Sequence, residues 1–312
     1  MRTIVFGSRP SPSFKSTKAL FPEGQDRLAG FGIDLFEIII DGKDQPPMFS
    51  IAAFPICDSA NCQTRQIFMN PNLSSGCRIE AVLFSESGRR HHARLAPYLG
   101  REEIAFPILY TTDRLFEGIA DTEHPQGVAA LVEPRKVSFD ELLAPAKSAA
   151  PLLVVLAGVQ DPGNVGTILR TAAAFGATGA VTSASGQSGT ASPFSPKALR
   201  ASAGAALRLP ILTGPALPIL LAQLASSNIR TLASSLRDSP DQPALAPWEI
   251  NWCEPVALLV GNEGAGLPEE VERSADARIR IPMSGGIESL NAAAAAAVLF
   301  YEAARQRNTL PI

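Results

Sequence analysis

LLVGNEGAGLPEEV, residues 258–271, is the stretch whose reading decides the fold. It closes an apolar run, Val256–Val260, and passes through Gly261, Gly264 and Gly266 into Glu269–Ser274, which reads as a short helix. A short continuous apolar run bounded by turn residues marks a strand buried on both faces, and such strands belong to parallel sheets covered by helices. Glycines directly after the strand let the backbone come close to a ligand. Their order is GxxGxG. No strand candidate is followed by GxGxxG and an acid, and GxxxxGK[ST] is absent, so dinucleotide and phosphate-loop readings lack their motifs. Glu263 sits mid-loop, where a carboxylate accepts hydrogen bonds, pairs with a cation or is simply solvated.

Outward from this loop, short apolar runs alternate with helical stretches. Strands are predicted at Leu152–Leu156, Gly179–Thr182, Leu209–Leu212, Arg230–Ala233, Val256–Val260 and Ala277–Ile281. Helices are predicted at Val165–Phe175, Lys197–Ala205, Leu217–Leu224, Glu269–Ser274 and Leu290–Gln306. That pattern gives an α/β fold on a mostly parallel sheet, and such sheets place ligands in the loops that follow strands.

Two further loops fit that position. In GVQDPGNVGTILRTAAAFGA, residues 158–177, Asp161-Pro162-Gly163 makes a turn, Asn164 is expected to cap the helix, and Arg170 follows under two turns later. In IPMSGGIESLNAAAAAAVLF, residues 281–300, Ser289 is expected to cap the last helix, with Leu290 and Asn291 beginning it. The alanines Ala292–Ala297 need no help to be helical. They leave a face without bulk, against which a backbone or flat ligand can pack. Taken singly, these loops also read as an ordinary cap with a surface arginine, and as a plain buried helix.

Composition narrows the class. With 312 residues, 46% hydrophobic and 18% charged, the chain is globular and long enough for two domains. A net charge of −3 argues against indiscriminate nucleic-acid binding but permits a local basic patch. Four cysteines without a CxxC pair, and only three histidines, point to reduced thiols in a cytoplasmic protein and to no metal site. No apolar run approaches the length of a membrane span.

The first half divides less clearly. Residues 1–75 sustain no periodicity and are left as an N-terminal extension. Residues 76–135 read as a small α/β domain. Its predicted strands are Ala81–Phe84, Pro107–Tyr110 and Gly127–Val132, and its predicted helices Arg89–Leu99 and Asp113–Ile119. Residues 136–151 read as a linker around one short amphipathic segment, and residues 152–312 as the main domain.

Together the three loops resemble the SpoU-type (TrmH-like) RNA ribose 2′-O-methyltransferases of the SPOUT superfamily. The family's Asn with Arg six residues on matches Asn164 and Arg170; its Gly-Asn-Glu-Gly-x-Gly-Leu matches Gly261–Leu267. Its Ile-Pro-Met followed by Ser-Leu-Asn matches Ile281-Pro282-Met283 and Ser289-Leu290-Asn291. SPKALRASAGA, residues 195–205, is a further family-like stretch, and the likeness covers roughly residues 152–307. The small domain resembles the RNA substrate-binding domain that precedes the catalytic one in many relatives, although their usual N-terminal signature is missing from residues 1–75.

The resemblance implies a parallel-sheet catalytic domain with a C-terminal trefoil knot, S-adenosylmethionine as cofactor, a homodimer and an rRNA or tRNA substrate. It implies no metal and no membrane. By position, Arg170 would meet the 2′-oxygen or its phosphate, while Asn164, Glu263, Ser289 and Asn291 orient arginine and substrate. The cofactor would lie against Gly261, Ile281, Met283 and Leu290, with Ser234 closing the pocket. Arg89, Arg90 and Arg94 on the small domain, with Lys197 and Arg200 near the catalytic loop, would contact RNA phosphates. A catalytically silent RNA-binding protein that retains the fold is the alternative, and the intact Asn164, Arg170, Glu263 and Asn291 speak against it.

Overall fold

The apolar runs become two sheets. The structure is a computed structural model that describes residues 50–53, 77–93, 95, 106–120, 124–144, 150–184, 189–235, 237, 242–284 and 289–307. Arg94, one of the expected RNA contacts, lies outside the described residues, as does most of residues 1–75.

The small sheet holds Ser50–Ala53 (β1), Arg78–Ser85 (β2), Ile108–Thr111 (β3) and Val128–Glu133 (β4) in the order β1-β4-β2-β3. Only β2 and β3 run parallel; the other pairs are antiparallel. The strand β1 falls inside the stretch that showed no periodicity, and pairs Ser50 with Val132 through Ala53 with Ala129. Helix α1, Asp113–Ile119, forms where predicted, capped by Thr112. The helix expected over Arg89–Leu99 opens with a 3-10 turn, Ser87–His91, and His92, Ala93 and Leu95 are α-helical, while residues 94 and 96–99 lie outside the described residues. Gly88 packs onto the Gly127 backbone, where a Cβ would lie 1.9 Å from the carbonyl oxygen, and Ser85 Oγ accepts from Gly88 N–H at 3.0 Å. Those contacts tighten the turn before an α-helical repeat can start.

In the stretch read as a linker, Phe139–Leu143 (α2) forms behind a Ser138/Glu141 capping box and buries Leu142 beside Gly179. The large sheet then contains Leu152–Ala157 (β5), Gly179–Ala184 (β6), Ile211–Ala216 (β7), Arg230–Ser234 (β8), Val256–Val260 (β9) and Ala277–Ile279 (β10). All its pairings are parallel, in the order β10-β8-β9-β5-β6-β7. Pro162–Ala174 (α3), Pro196–Ala201 (α4), Leu217–Ser226 (α5), Glu269–Ser274 (α6) and Ala292–Gln306 (α7) complete the domain.

Strands β5 and β9 are buried along their whole length, as their unbroken apolar sequences require. Each buried Val or Leu contributes about 1.5–3 kcal/mol relative to exposure. One face joins Leu152, Val154 and Leu156 to Ile168 and Leu169 of α3 and to Leu299 and Phe300 of α7. The same cluster includes Val82, Phe84 and Val132 of the small sheet. The other face packs Leu153, Val155 and Leu259 against Leu220 and Leu224 of α5. Among the described residues no helix is long and apolar enough to cross a membrane.

Candidate active site

Chain direction places the functional loops. From β5 the sheet grows one way through β6 and β7, whereas β9 lies on the other side of β5. The loops leaving β5 and β9 therefore part at a topological switch point, where open parallel sheets form a crevice. Here the loops are stitched together. Asn262 Nδ2 donates to Gly158 O at 3.0 Å, and the backbone N–H groups of Gln160 and Asp161 donate to the Glu263 carboxylate, each at 3.1 Å.

The glycine loop folds on itself. Asn262 and Gly266 form an isolated antiparallel bridge, and Asn262 Oδ1 accepts from Gly264 N–H (2.9 Å) and Ala265 N–H (3.0 Å). Gly261 admits no side chain, since a Cβ would stand 2.3 Å from the Gly266 carbonyl carbon. Gly266 adopts φ +69°, a conformation natural to glycine.

Both expected helix caps move by a few residues. Asp161, not Asn164, caps α3, accepting from Gly163 and Asn164 N–H, with Pro162 in the first turn. Asn291, not Ser289, caps α7, accepting from Ala293 N–H (2.8 Å) and Ala294 N–H (3.4 Å). In each case the residue with non-helical backbone just outside the helix takes the role. The Asn164 side chain is thereby freed. Its Nδ2 donates to Glu263 Oε1 at 3.0 Å, and its Oδ1 accepts from Asn291 Nδ2 at 3.1 Å. Asn164, Glu263 and Asn291, from three loops, thus form one hydrogen-bonded row.

Partial burial pushes the Glu263 carboxyl up, but hydrogen bonds from Asn164 and from the backbone of Glu263, Gln160 and Asp161 outweigh it and hold the group below the usual carboxylate range. The hydrogen bond from Lys197 does the same for Asp161, helped by the backbone of Gly163.

Beside the row lies a cavity of about 470 Å³. Ser234, Gly261, Ile281, Met283 and Leu290, the five residues expected to face a cofactor, all line it, together with Glu263. Its apolar wall includes Val260, Ile279 and Leu299, with Ala292, Ala295 and Ala296 giving the flat helix face. Its polar lining includes Ser235, Arg237 and Glu272. Volume and mixed lining are those of a small-molecule site. Among the described residues no group of three or more His, Cys, Asp or Glu side chains is placed to hold a metal ion.

Residues 151–301 match the model of the SpoU rRNA methylase family. The chain is 32% identical over 232 residues to the 23S rRNA (guanosine-2′-O-)-methyltransferase RlmB of Ralstonia nicotianae, covering 73% of this chain and 89% of that one. The chain belongs to the SpoU rRNA methylase family. An uncharacterized tRNA/rRNA methyltransferase of Synechocystis is 37% identical over 189 residues, 61% of this chain and 64% of the relative. Against several such curated relatives the chain spans only 57 to 64% of their length. Among solved structures, the SpoU methyltransferase AviRb from Streptomyces viridochromogenes, in complex with the cofactor AdoMet, matches with a TM-score of 0.67 and 25% identity, covering 84% of this chain and 91% of that one.

Within this SpoU family member the remaining motif residues are dispersed. Arg170 is exposed and has no hydrogen-bond or ion-pair partner among the described residues. Six residues beyond Asn164, it points roughly 240° around the helix and stands about 9 Å along it, so it does not join the row. Ser289 is exposed and makes no hydrogen bond among the described residues. Lys197 Nζ is engaged by Asp161 Oδ1 at 2.6 Å, and Arg200 sits in the last turn of α4. On the small domain Arg89 lies over the Tyr110 ring at 4.8 Å, and Arg90 Nε donates to His91 Nε2 at 3.1 Å. Asp161 and Asn262 were not singled out from sequence, though the Asp-Pro pair is a helix-start signal. Arg237, Glu272 and Arg278 gave no sequence signal.

Proposed function

We propose that this chain transfers a methyl group from S-adenosylmethionine to a ribose 2′-hydroxyl of rRNA or tRNA. The observation that carries the reading is the row Glu263–Asn164–Asn291, assembled at a sheet switch point beside a cavity of cofactor size. The cavity fits the cofactor. Its apolar wall and alanine face suit a flat base, its glycine backbone allows close approach, and its polar lining suits an amino-acid moiety.

When bound, the cofactor supplies an electrophilic methyl group on a sulfonium. The protein's part is to align the hydroxyl and meet the charge that develops on its oxygen. A guanidinium is essentially always protonated, so Arg170 acts as an electrostatic partner of the 2′-oxygen or the adjacent phosphate and not as a base. Glu263, kept ionised by its donors, fixes the Asn164 amide, and Asn291 fixes it from the other side. Each amide nitrogen keeps a second N–H for substrate.

The finer features belong to the same reading. The last segments form a trefoil knot; the placement of β9 between β8 and β5, with α7 packed back on α3, supports it. The enzyme is a homodimer, which brings Arg170 to the row of a second copy. Exposed Ala294, Val298 and Tyr301 at helical spacing along α7 support that interface. Residues 76–135 and β1 form an RNA-recognition domain using Arg89 and Arg90, and the protein works in the cytoplasm.

The test has two arms. Calorimetric titration with S-adenosylmethionine and S-adenosylhomocysteine is expected to show binding, and absence of heat with both sinks the reading. Arg170→Ala should keep that binding while methyl transfer to RNA falls by about 10²–10³-fold; full activity in the variant removes the role given to Arg170.

A further inference from the structure

Arg237 lines the cavity and lies outside every motif used above. Arg237 donates from Nη2 to Ala265 O at 2.8 Å and from Nη1 to Leu267 O at 3.0 Å. Nη1 also approaches Glu272 Oε1 at 3.4 Å. Glu272, with only 5% of its side chain exposed, accepts from Ser235 Oγ at 2.6 Å and Arg278 Nη2 at 3.0 Å. Arg278 on β10, Glu272 on α6 and Arg237 beyond β8 therefore form one chain of contacts that ends on the loop beyond β9.

That loop's other anchors gather on Asn262, which bridges to Gly266 and reaches Gly158 O, and on Glu263, which takes Gln160, Asp161 and Asn164; none of them holds the Ala265 or Leu267 carbonyl. Gly264 and Ala265 are exposed, and their N–H groups are held by Asn262. Asn262 thus takes the loop's donors, while Arg237 takes the carbonyls of Ala265 and Leu267. The Arg237 side chain is 47% exposed. Its pairing therefore contributes little to global stability, whereas a loop held in its bound shape gives affinity by lowering the ordering cost of binding.

We propose that Arg237 is a positioning residue for the cofactor, holding Ala265–Leu267 in the shape the ligand meets. Its removal weakens cofactor binding and leaves the methyl-transfer step intact. The inference rests on the reading of the cavity as the S-adenosylmethionine site. A lysine cannot replace it fully, because a single ammonium does not span two carbonyls and a carboxylate as a planar fork does.

The test compares full-length wild type, Arg237→Ala and Arg237→Lys by calorimetric titration with S-adenosylmethionine and S-adenosylhomocysteine, alongside steady-state methyl transfer. In Arg237→Ala both Kd values should rise together by about tenfold, the loss expected from two charge-assisted hydrogen bonds on a half-exposed group. KM for the cofactor should follow while kcat at saturation stays within about twofold, and Arg237→Lys should fall between. If the alanine variant does not fold, the lysine variant decides by the same raised Kd. Unchanged Kd beside tight wild-type binding overturns this proposal alone, as does a fall in kcat with Kd unmoved. A wild type that binds neither ligand overturns both this and the functional reading.

Discussion

Glu263 and Glu272 line the same cavity and are held in opposite ways. Glu263 is exposed and takes its hydrogen bonds from neutral amides: Asn164, Gln160 and Asp161. Glu272 is buried and takes its contacts from Arg278, Arg237 and the Ser235 hydroxyl. A carboxylate ringed by amides keeps its charge near the surface, where it fixes the Asn164 amide, the group that the proposed function turns toward substrate. One enclosed by guanidinium groups has its charge paired inside the protein, and it ties β8, α6 and β10 together. The cavity thus has one wall built on an exposed carboxylate held by amides and another on a buried carboxylate held by guanidinium groups.

The largest expected effect breaks the buried side. Glu272→Ala leaves Arg278 buried without its carboxylate, which costs about 3–5 kcal/mol, read as a lowered midpoint in denaturant unfolding. A loss below about 1 kcal/mol, the worth of a surface pair, would remove the distinction between the two glutamates.

Glu263→Gln sharpens the other side. The substitution keeps the shape but replaces one of two acceptor oxygens by a donor, which must face either the Gln160 N–H or the Asp161 and Asn164 N–H groups. Stability should fall by only about 1 kcal/mol, while methyl transfer drops roughly tenfold or more as Asn164 loses its anchor. Equal losses of stability and activity in the two variants would contradict the comparison.

The smallest effect is on pH dependence. The folded-state pKa of Glu263 lies below that of an ordinary carboxylate, because its amide donors outweigh its partial burial. The group therefore binds fewer protons folded than unfolded, so its stabilising contribution is complete above the unfolded pKa and disappears as pH falls through the lowered folded value. Wild type should lose this part of its stability only on acidification below the ordinary carboxylate range, and Glu263→Gln should show a flatter profile there. Identical acid limbs in pH-dependent unfolding would show that the amide ring around Glu263 does not hold it ionised.

The two glutamates also mark what could be read in the sequence. Glu263, Asn164 and Asn291 were legible as residues of loops that follow apolar strands, but each loop alone also allowed a plain structural role, and only the resemblance of all three to one family assigned them to a site. Strands β5 and β9 were legible because burial on both faces leaves an uninterrupted apolar run. Glu272 was not, since its partners Ser235 and Arg278 come from other elements and no local pattern announces a tertiary ion pair. The four-residue strand β1 escaped for the same reason, as only pairing with the distant β4 makes it a strand. The caps were misplaced locally: Asn164 and Ser289 are good cap residues, but Asp161 and Asn291 are the non-helical residues at the boundary. Arg170 was legible as a motif residue, yet its distance from the row is a matter of helix phase that shows only when the helix start is fixed.

The central claim is methyl transfer to a ribose oxygen. Its most direct test is incubation of the protein with methyl-labelled S-adenosylmethionine and unmodified rRNA or tRNA, followed by alkaline hydrolysis. A 2′-O-methyl group blocks cleavage at its own nucleotide, so the account predicts label in an alkali-resistant dinucleotide, absent with Arg170→Ala. Label that appears only in mononucleotides, on a base, or in no RNA at all would contradict it.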